Sequence, residues 1–181
     1  MDSIVVSAIV KNAYSKIAES YQDSYGEIDE QDWKYWETFI SSCVGQKVLD
    51  MGCGTSILAI LASMRGANPV TAIDIDDWCV NNSRDNIELN GISNITVELG
   101  DANLLKGKDP FDVIIANINR NILLADMAQY AACMHAGSEL YMSGFYVQDI
   151  PAIQEKAESL GMEFIHHREK NNWAAVKFIM K

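Results

Sequence analysis

The sequence has few cysteines and few histidines, and both scarcities exclude classes of protein. The four cysteines form no C-x-x-C pair, and their apolar or helical contexts are typical of reduced thiols. The sequence therefore predicts neither a disulfide framework nor a metal site. The three histidines are expected to be surface or strand residues rather than catalytic groups. These residues are Cys43, Cys53, Cys79, Cys133, His135, His166 and His167.

Basic residues and long apolar runs are also scarce. The 181 residues include 14 Lys and Arg against 25 Asp and Glu, which gives a net charge of −11. Non-specific binding to nucleic-acid phosphates is therefore not expected, whereas a basic protein or an amine is a compatible partner. No apolar run approaches the ~20 residues of a membrane span, and no basic signal segment follows Met1. The sequence predicts a cytoplasmic protein.

The pattern that is present is an alternation of strands and helices. A hydrophobic content of 49% with 22% charged residues is ordinary for a soluble globular domain. Seven short strands, the last two joined by a polar turn at 169–172, predict a mostly parallel sheet that ends in an antiparallel pair. The predicted strands are 48–50, 70–74, 95–99, 111–116, 137–143, 162–167 and 173–179, and the helices are 55–65, 77–89, 121–134 and 148–160.

The clearest indication of a ligand-binding site is the stretch from Lys47 to Leu58, which reads KVLDMGCGTSIL. An apolar run ends at Asp50, and a turn with Gly52 and Gly54 then leads into a helix. Such a junction binds nucleotide-like ligands, and glycine lets the backbone lie directly against them. Asp50 would repel a pyrophosphate but can hold an ammonium, directly or through a water. The predicted ligand carries a cation near this turn.

A second acid, Asp74, ends the β-branched run Val70–Asp74. At the tip of the second strand, such a carboxylate accepts hydrogen bonds from ribose hydroxyls. An adenosine with an amino-acid head group satisfies both acids, which indicates S-adenosylmethionine. A nicotinamide oxidoreductase would have the same architecture, but the loop G-C-G-T-S-I lacks the expected G-x-G-x-x-G spacing.

Four motifs resemble the series found in class I S-adenosylmethionine-dependent methyltransferases: DMGCGTS, AIDID, GDA and ANIN. From about Val44 to Lys181 the chain is more specifically similar to the catalytic domain of bacterial ribosomal protein L11 methyltransferases, which methylate amino groups of a ribosomal protein. The resemblance implies a three-layer Rossmann-like α/β fold. The phrases that carry it are SILAILASMRGA, VTAIDIDDWCVNN, FDVIIANINRNIL, YMSGFYVQDI and HHREKNNWAAVKF.

The resemblance also implies roles for individual residues. Asn117 follows the predicted central strand and is the candidate catalytic residue, because an oxygen there can accept the N–H bonds of an attacking amine. Asp101 and the amide of Ala102 are expected to read adenine. Ser56 stands where the family has a glycine, and we expect it to need no positive φ and to cap a free amide. The predicted cofactor contacts are Asp50, Gly52, Gly54, Ser56, Asp74, Ile75, Asp101, Ala102 and Asn117.

Residues 1–43 differ from the rest of the chain in their residue pattern. Their aromatic residues recur at helical spacing, which predicts either cover helices on the sheet or a tyrosine lid over the ligand. This leader resembles class I methyltransferases that act on small molecules, and it lacks the separate substrate-recruiting domain of the ribosomal family. The sequence therefore predicts a leader at 1–43 and a methyltransferase domain at 44–181, joined as a natural mosaic, a truncated relative or an engineered chimera.

The functional prediction is methyl transfer from S-adenosylmethionine to an amino group of a protein acceptor resembling a ribosomal protein. Two alternatives remain open at this point. One is a methyltransferase for a small molecule, which the leader favours. The other is a cofactor-binding protein with weak or no catalysis, which the serine at position 56 favours.

Overall fold

The computed structural model describes residues 43–181, which form one seven-stranded sheet with four α-helices. The predicted leader lies outside the described residues, apart from Cys43. The strands β1 to β7 are Val48–Met51, Val70–Asp74, Ile95–Leu99, Phe111–Asn117, Met134–Tyr146, Met162–Lys170 and Trp173–Met180. The helices α1 to α4 are Ile57–Met64, Asp77–Leu89, Arg120–Ala132 and Ile150–Ser159, and two short 3₁₀ helices span Ala102–Leu105 and Val147–Asp149.

The sheet has the strand order β3-β2-β1-β4-β5-β7-β6. The first five strands in this order are parallel, and β7 runs antiparallel to both β5 and β6. The prediction of a mostly parallel seven-stranded sheet with a C-terminal antiparallel pair is therefore confirmed. The strand β4 is in the middle of the sheet, and its nearly continuous apolar sequence reflects burial on both faces.

Alternate residues of β4 contribute to two separate hydrophobic cores. Val113 and Ile115 pack in the cluster that contains the apolar residues of α1. Ile114 and Ala116 pack in the other cluster, together with α3 and α4. Because successive strand residues point to opposite faces, this division produces three layers with the sheet in the middle.

The observed bounds of the helices and strands agree with the predicted bounds at some elements and differ at others. The helix α2 and the strand β3 have the predicted bounds. The helix α1 begins two residues later than predicted, because Ser56 has a left-handed backbone. The strand β5 begins at Met134, which was predicted to end the preceding helix and instead pairs with Phe111 ahead of an irregularity in the β4–β5 register.

The C-terminal hairpin turns through two asparagines. Asn171 and Asn172 have φ values of 50° and 68°, which suit a two-residue turn between twisted antiparallel strands. The polar turn predicted at 169–172 is shorter in the structure, because β6 extends to Lys170 and only the two asparagines form the turn. None of the helices in residues 43–181 is long and apolar enough to cross a membrane.

Candidate functional site

The carboxyl ends of the parallel strands bring the predicted site residues to one edge of the sheet. The chain adds β2 and β3 on one side of β1 and then returns to add β4 on the other side, so the topology reverses between β1 and β4. Ligands of open α/β sheets bind at such a point, outside the carboxyl ends of the strands. Asp74 ends β2 and Asn117 ends β4, and the loop with Gly52 and Gly54 follows β1.

The two glycines of this loop are needed for different reasons. Gly52 has a φ of 68°, and a Cβ there would collide with the side chain of Ile118. Gly54 has a φ of 54°, but a Cβ there would meet no atom of residues 43–181 within 4 Å. Gly52 therefore allows the loop to pack against the end of β4, whereas Gly54 turns the backbone beside open space that a ligand can fill.

Asp74 connects the glycine loop to the end of β2. Its Oδ2 accepts a hydrogen bond from the Gly54 amide at 2.8 Å, and its Oδ1 accepts one from the Asp76 amide at 3.0 Å. The residue is 9% exposed. Each carboxylate oxygen has two lone pairs, so both can still accept a hydrogen bond from a ligand hydroxyl.

Asp50 is buried beneath the loop, with 1% of its surface exposed. Its Oδ2 accepts a hydrogen bond from the Ala59 amide at 3.0 Å, in the first turn of α1. Burial raises the pKa of Asp50 to about 7, the Ala59 hydrogen bond opposes this rise, and the charge of Asp74 adds to it. Asp50 thus caps the helix, and its contact with a ligand ammonium stays a prediction.

Ser56 departs from the conformation that was expected of it. Its φ is 60° and its ψ is 24°, in the left-handed region, and its side chain makes no capping hydrogen bond. The residue is fully buried, and within residues 43–181 its Oγ has no oxygen or nitrogen partner, although it lies close enough to the Cys53 thiol to affect the pKa of that thiol. The expectation of a negative φ and a capping hydroxyl was wrong, because the loop must turn once more after Gly54 before α1 can begin.

Two polar residues of α2, which the sequence reasoning missed, support the glycine loop. Ser83 Oγ donates a hydrogen bond to the Gly54 carbonyl at 2.8 Å, and Asn86 Nδ2 donates one to the Thr55 carbonyl at 3.0 Å. Both side chains are buried. The available signal was a pair of small polar residues three positions apart on a helix, which is the spacing of one helix face.

The predicted nucleoside contacts lie at the ends of β2 and β3. Ile75 follows Asp74 and is 70% exposed, so its side chain is accessible to an apolar ring. Asp101 accepts hydrogen bonds from the amide and the side chain of Asn103, and these bonds lower the pKa of Asp101. Ala102 is buried in the 3₁₀ helix that Asp101 caps.

The two asparagines after β4 have different roles. Asn119 caps α3, since its Oδ1 accepts hydrogen bonds from the amides of Asn121 at 3.1 Å and Ile122 at 3.2 Å. Asn117 is exposed, and its side chain makes no hydrogen bond with any described residue. Asn117 therefore remains available to a ligand, whereas Asn119 is occupied by the fold.

The histidines lie away from this edge or are exposed on β6. His135 is at the start of β5, where its Nε2 lies 2.9 Å from Asp112 Oδ1, and β5 carries the chain from there toward the site edge. His166 and His167 are exposed strand residues, as predicted. Within residues 43–181 there is no group of three or more His, Cys, Asp or Glu residues that could hold a metal ion.

Comparison with known proteins gives consistent results. The model of the family described as Ribosomal protein L11 methyltransferase (PrmA) matches residues 36–181. A ribosomal protein L11 methyltransferase of Phocaeicola vulgatus is 86% identical over 137 residues, which cover 76% of this chain and 49% of that protein. The Bacteroides fragilis protein of the same name is 68% identical over 144 residues, covering 80% of this chain and 51% of that protein.

A solved structure supports the same grouping. The ribosomal protein L11 methylase of Lactobacillus delbrueckii subsp. bulgaricus superposes with a TM-score of 0.71 and 28% identity, covering 76% of this chain and 71% of that chain. The family model begins inside the predicted leader, and the comparisons give no evidence that the leader is chimeric. The chain spans about half the length of the curated relatives that it matches. The chain belongs to the ribosomal protein L11 methyltransferase (PrmA) family, within the class I methyltransferase fold.

Proposed function

We propose that residues 44–181 form the cofactor-binding and catalytic unit of an S-adenosylmethionine-dependent methyltransferase that acts on an amino group. The observation that carries this proposal is the arrangement of Gly54, Asp74 and Asn117 at the topological switch point of the sheet. Family membership supports the same activity.

The residues at this edge have the chemistry that S-adenosylmethionine needs. Asp74 has lone pairs left for ribose hydroxyls, Ile75 presents an apolar surface for adenine, and Asp101 can accept a bond from the adenine amino group. Gly54 borders open space, so the backbone can lie against the methionine portion. When bound, this cofactor supplies a methyl group on a positively charged sulfur.

Asn117 is the residue that we assign to the acceptor. Its carboxamide oxygen can accept an N–H bond of the amine and thereby direct the nitrogen lone pair along the line of transfer. Because methyl transfer is an in-line displacement, positioning and exclusion of water account for most of the catalysis. A lysine acceptor, with an ordinary pKa of about 10.4, must lose its proton before it reacts.

The acceptor that we propose first is ribosomal protein L11, because the similar proteins are named for methylating it. The net charge of −11 is compatible with a cationic protein partner. A small-molecule amine is the second candidate, and the exposed position of Asn117 allows either.

Calorimetric titration and methyl transfer from labelled cofactor test the proposal together. We expect S-adenosylmethionine to bind, and Asn117→Ala to reduce transfer to ribosomal protein L11 at least tenfold with cofactor affinity changed less than threefold. Asn121→Ala, an exposed asparagine in the first turn of α3, is the matched control. Normal turnover by Asn117→Ala would contradict its role, and absence of binding by the unaltered chain would contradict the proposed function.

A further inference from the structure

Two exposed aromatic side chains lie against each other at the same edge of the sheet as Asn117. Tyr146 ends β5 and Trp173 begins β7, and the two are register partners. Their ring centroids are 4.6 Å apart, with an angle of 38° between the ring planes. Tyr146 is 42% exposed and Trp173 is 49% exposed. Tyr and Trp are enriched at binding surfaces because each combines a rigid apolar body with a polar group.

Hydrogen bonds hold the backbone on both sides of this aromatic pair. The Tyr146 amide donates to Asp149 Oδ2 at 3.2 Å, and Asp149 Oδ1 lies 3.2 Å from Arg120 Nε. The Val147 amide donates to the Asn172 carbonyl at 3.0 Å, which connects the end of β5 to the hairpin turn before Trp173. The pair is therefore pre-organised, which lowers the entropy lost when a partner binds.

The aromatic pair lies farther along β5 than the residue that pairs with Asn117. Asn117 pairs with Ser143 across β4 and β5, and the next residue, Gly144, has a φ of 93°. A Cβ at Gly144 would collide with the backbone of Ile118, so β5 packs directly against the loop after Asn117. Tyr146 follows Ser143 by three residues, or about 10 Å of strand. The flexible four-carbon stem of a lysine can extend from this surface toward Asn117.

We propose that Tyr146 and Trp173 form the docking surface for the lysine side chain that accepts the methyl group. This inference rests on the proposed amine methylation. The methylene groups of lysine pack on aromatic faces, and its ammonium is attracted to them before it loses its proton. The acidic chain favours the same cationic partner.

Kinetics of four variants test the docking surface. We expect Trp173→Ala and Tyr146→Leu to raise KM for ribosomal protein L11 by roughly fivefold, the range of a partly exposed cation–π contact, with kcat and cofactor affinity changed less than twofold. Trp173→Phe should retain a KM within twofold of the unaltered chain. Leu89→Ala is the control, because Leu89 is an exposed apolar residue at the far end of α2.

Binding of a short peptide provides a readout that does not depend on turnover. A peptide with one lysine should shift the indole N–H resonance of Trp173, assigned by its loss in Trp173→Phe, and the same peptide with norleucine should shift it less. Unchanged KM in Trp173→Ala, or equal shifts with both peptides, would overturn the docking surface while leaving the proposed function intact. A chain that binds S-adenosylmethionine but methylates no amine would overturn the proposed function and this inference with it.

Discussion

Ser56 combines two unfavourable features in one residue of the glycine loop. A left-handed backbone costs a residue with a side chain about 1–2 kcal/mol, and a buried hydroxyl without an oxygen or nitrogen partner costs about 1–3 kcal/mol. Glycine would remove both costs, while its greater freedom in the unfolded chain costs about 0.5–1 kcal/mol. The balance favours glycine by about 1 kcal/mol or more.

We therefore expect Ser56→Gly to raise the Tm of the ligand-free protein by about 2–4 °C for each kcal/mol gained. Thr55→Gly is the matched control, because Thr55 is in the same loop without a positive φ and should lose stability when replaced. Thermal unfolding of the three proteins measures the difference. A lower Tm for Ser56→Gly would mean that the Ser56 side chain stabilises the folded protein and that the expected costs are wrong.

At the scale of elements, α2 does more than cover the sheet. Its buried face contributes two side chains that hold carbonyl groups of the glycine loop, while Asp74, just before the helix, holds an amide of the same loop. The loop is thereby fixed from two directions before any ligand arrives. Such pre-organisation is what allows a backbone turn to present its open side to a cofactor.

Replacement of Asn86 by Ala should loosen this loop. The Thr55 carbonyl would lose its hydrogen bond, at a cost of about 1–3 kcal/mol if it stays buried. We expect a lower Tm together with weaker binding of S-adenosylmethionine in calorimetry. Asn81→Ala, which changes an exposed asparagine on the same helix, should alter neither. A lower Tm with unchanged affinity would show that α2 supports the fold but not the loop.

At the scale of the whole molecule, folding raises the pKa of two groups at different places in the sheet. Burial raises the pKa of Asp50 to about 7, well above an unfolded value near 3.8. Hydrogen bonds to the Ala136 carbonyl and to Asp112 raise the pKa of His135 above 6.5. In both cases the folded state binds the proton more tightly than the unfolded chain, so the stabilisation is complete below the unfolded pKa and is lost as pH rises through the folded pKa.

We therefore expect the Tm of the ligand-free protein to fall between pH 5 and pH 8. Asp50→Asn can still accept the Ala59 hydrogen bond and should remove most of this fall. His135→Gln should remove a smaller part, because its ring is about half exposed and solvent weakens its ion pair. Thermal unfolding at several pH values measures the slopes. A fall that persists unchanged in Asp50→Asn would show that Asp50 is not the controlling group.

Local pattern was enough to predict much of this architecture. The apolar run of β4 indicated burial on both faces, and its place in the middle of the sheet followed from that burial. The bounds of α2, 77–89, were predicted correctly; the sequence Asn90-Gly91 marks its C-terminal end, and Asp76 caps its first turn in the structure. The convergence of Asp74 and Asn117 also needed no tertiary information, because parallel strands end at one edge and both residues lie at strand ends.

The tertiary structure alone decided the features that depend on residues far apart in the chain. Ser83 and Asn86 meet the glycine loop across 29 and 31 residues, and a helix sequence does not tell which polar side chain will face another element. The left-handed turn at Ser56 and the burial of Asp50 follow from how α1 packs on β1. By itself the sequence determined the order of elements and the sheet edge where the candidate site residues meet, because periodicity and strand ends are local. Packing decided which side chains support that edge, because their partners are brought together only when the chain folds.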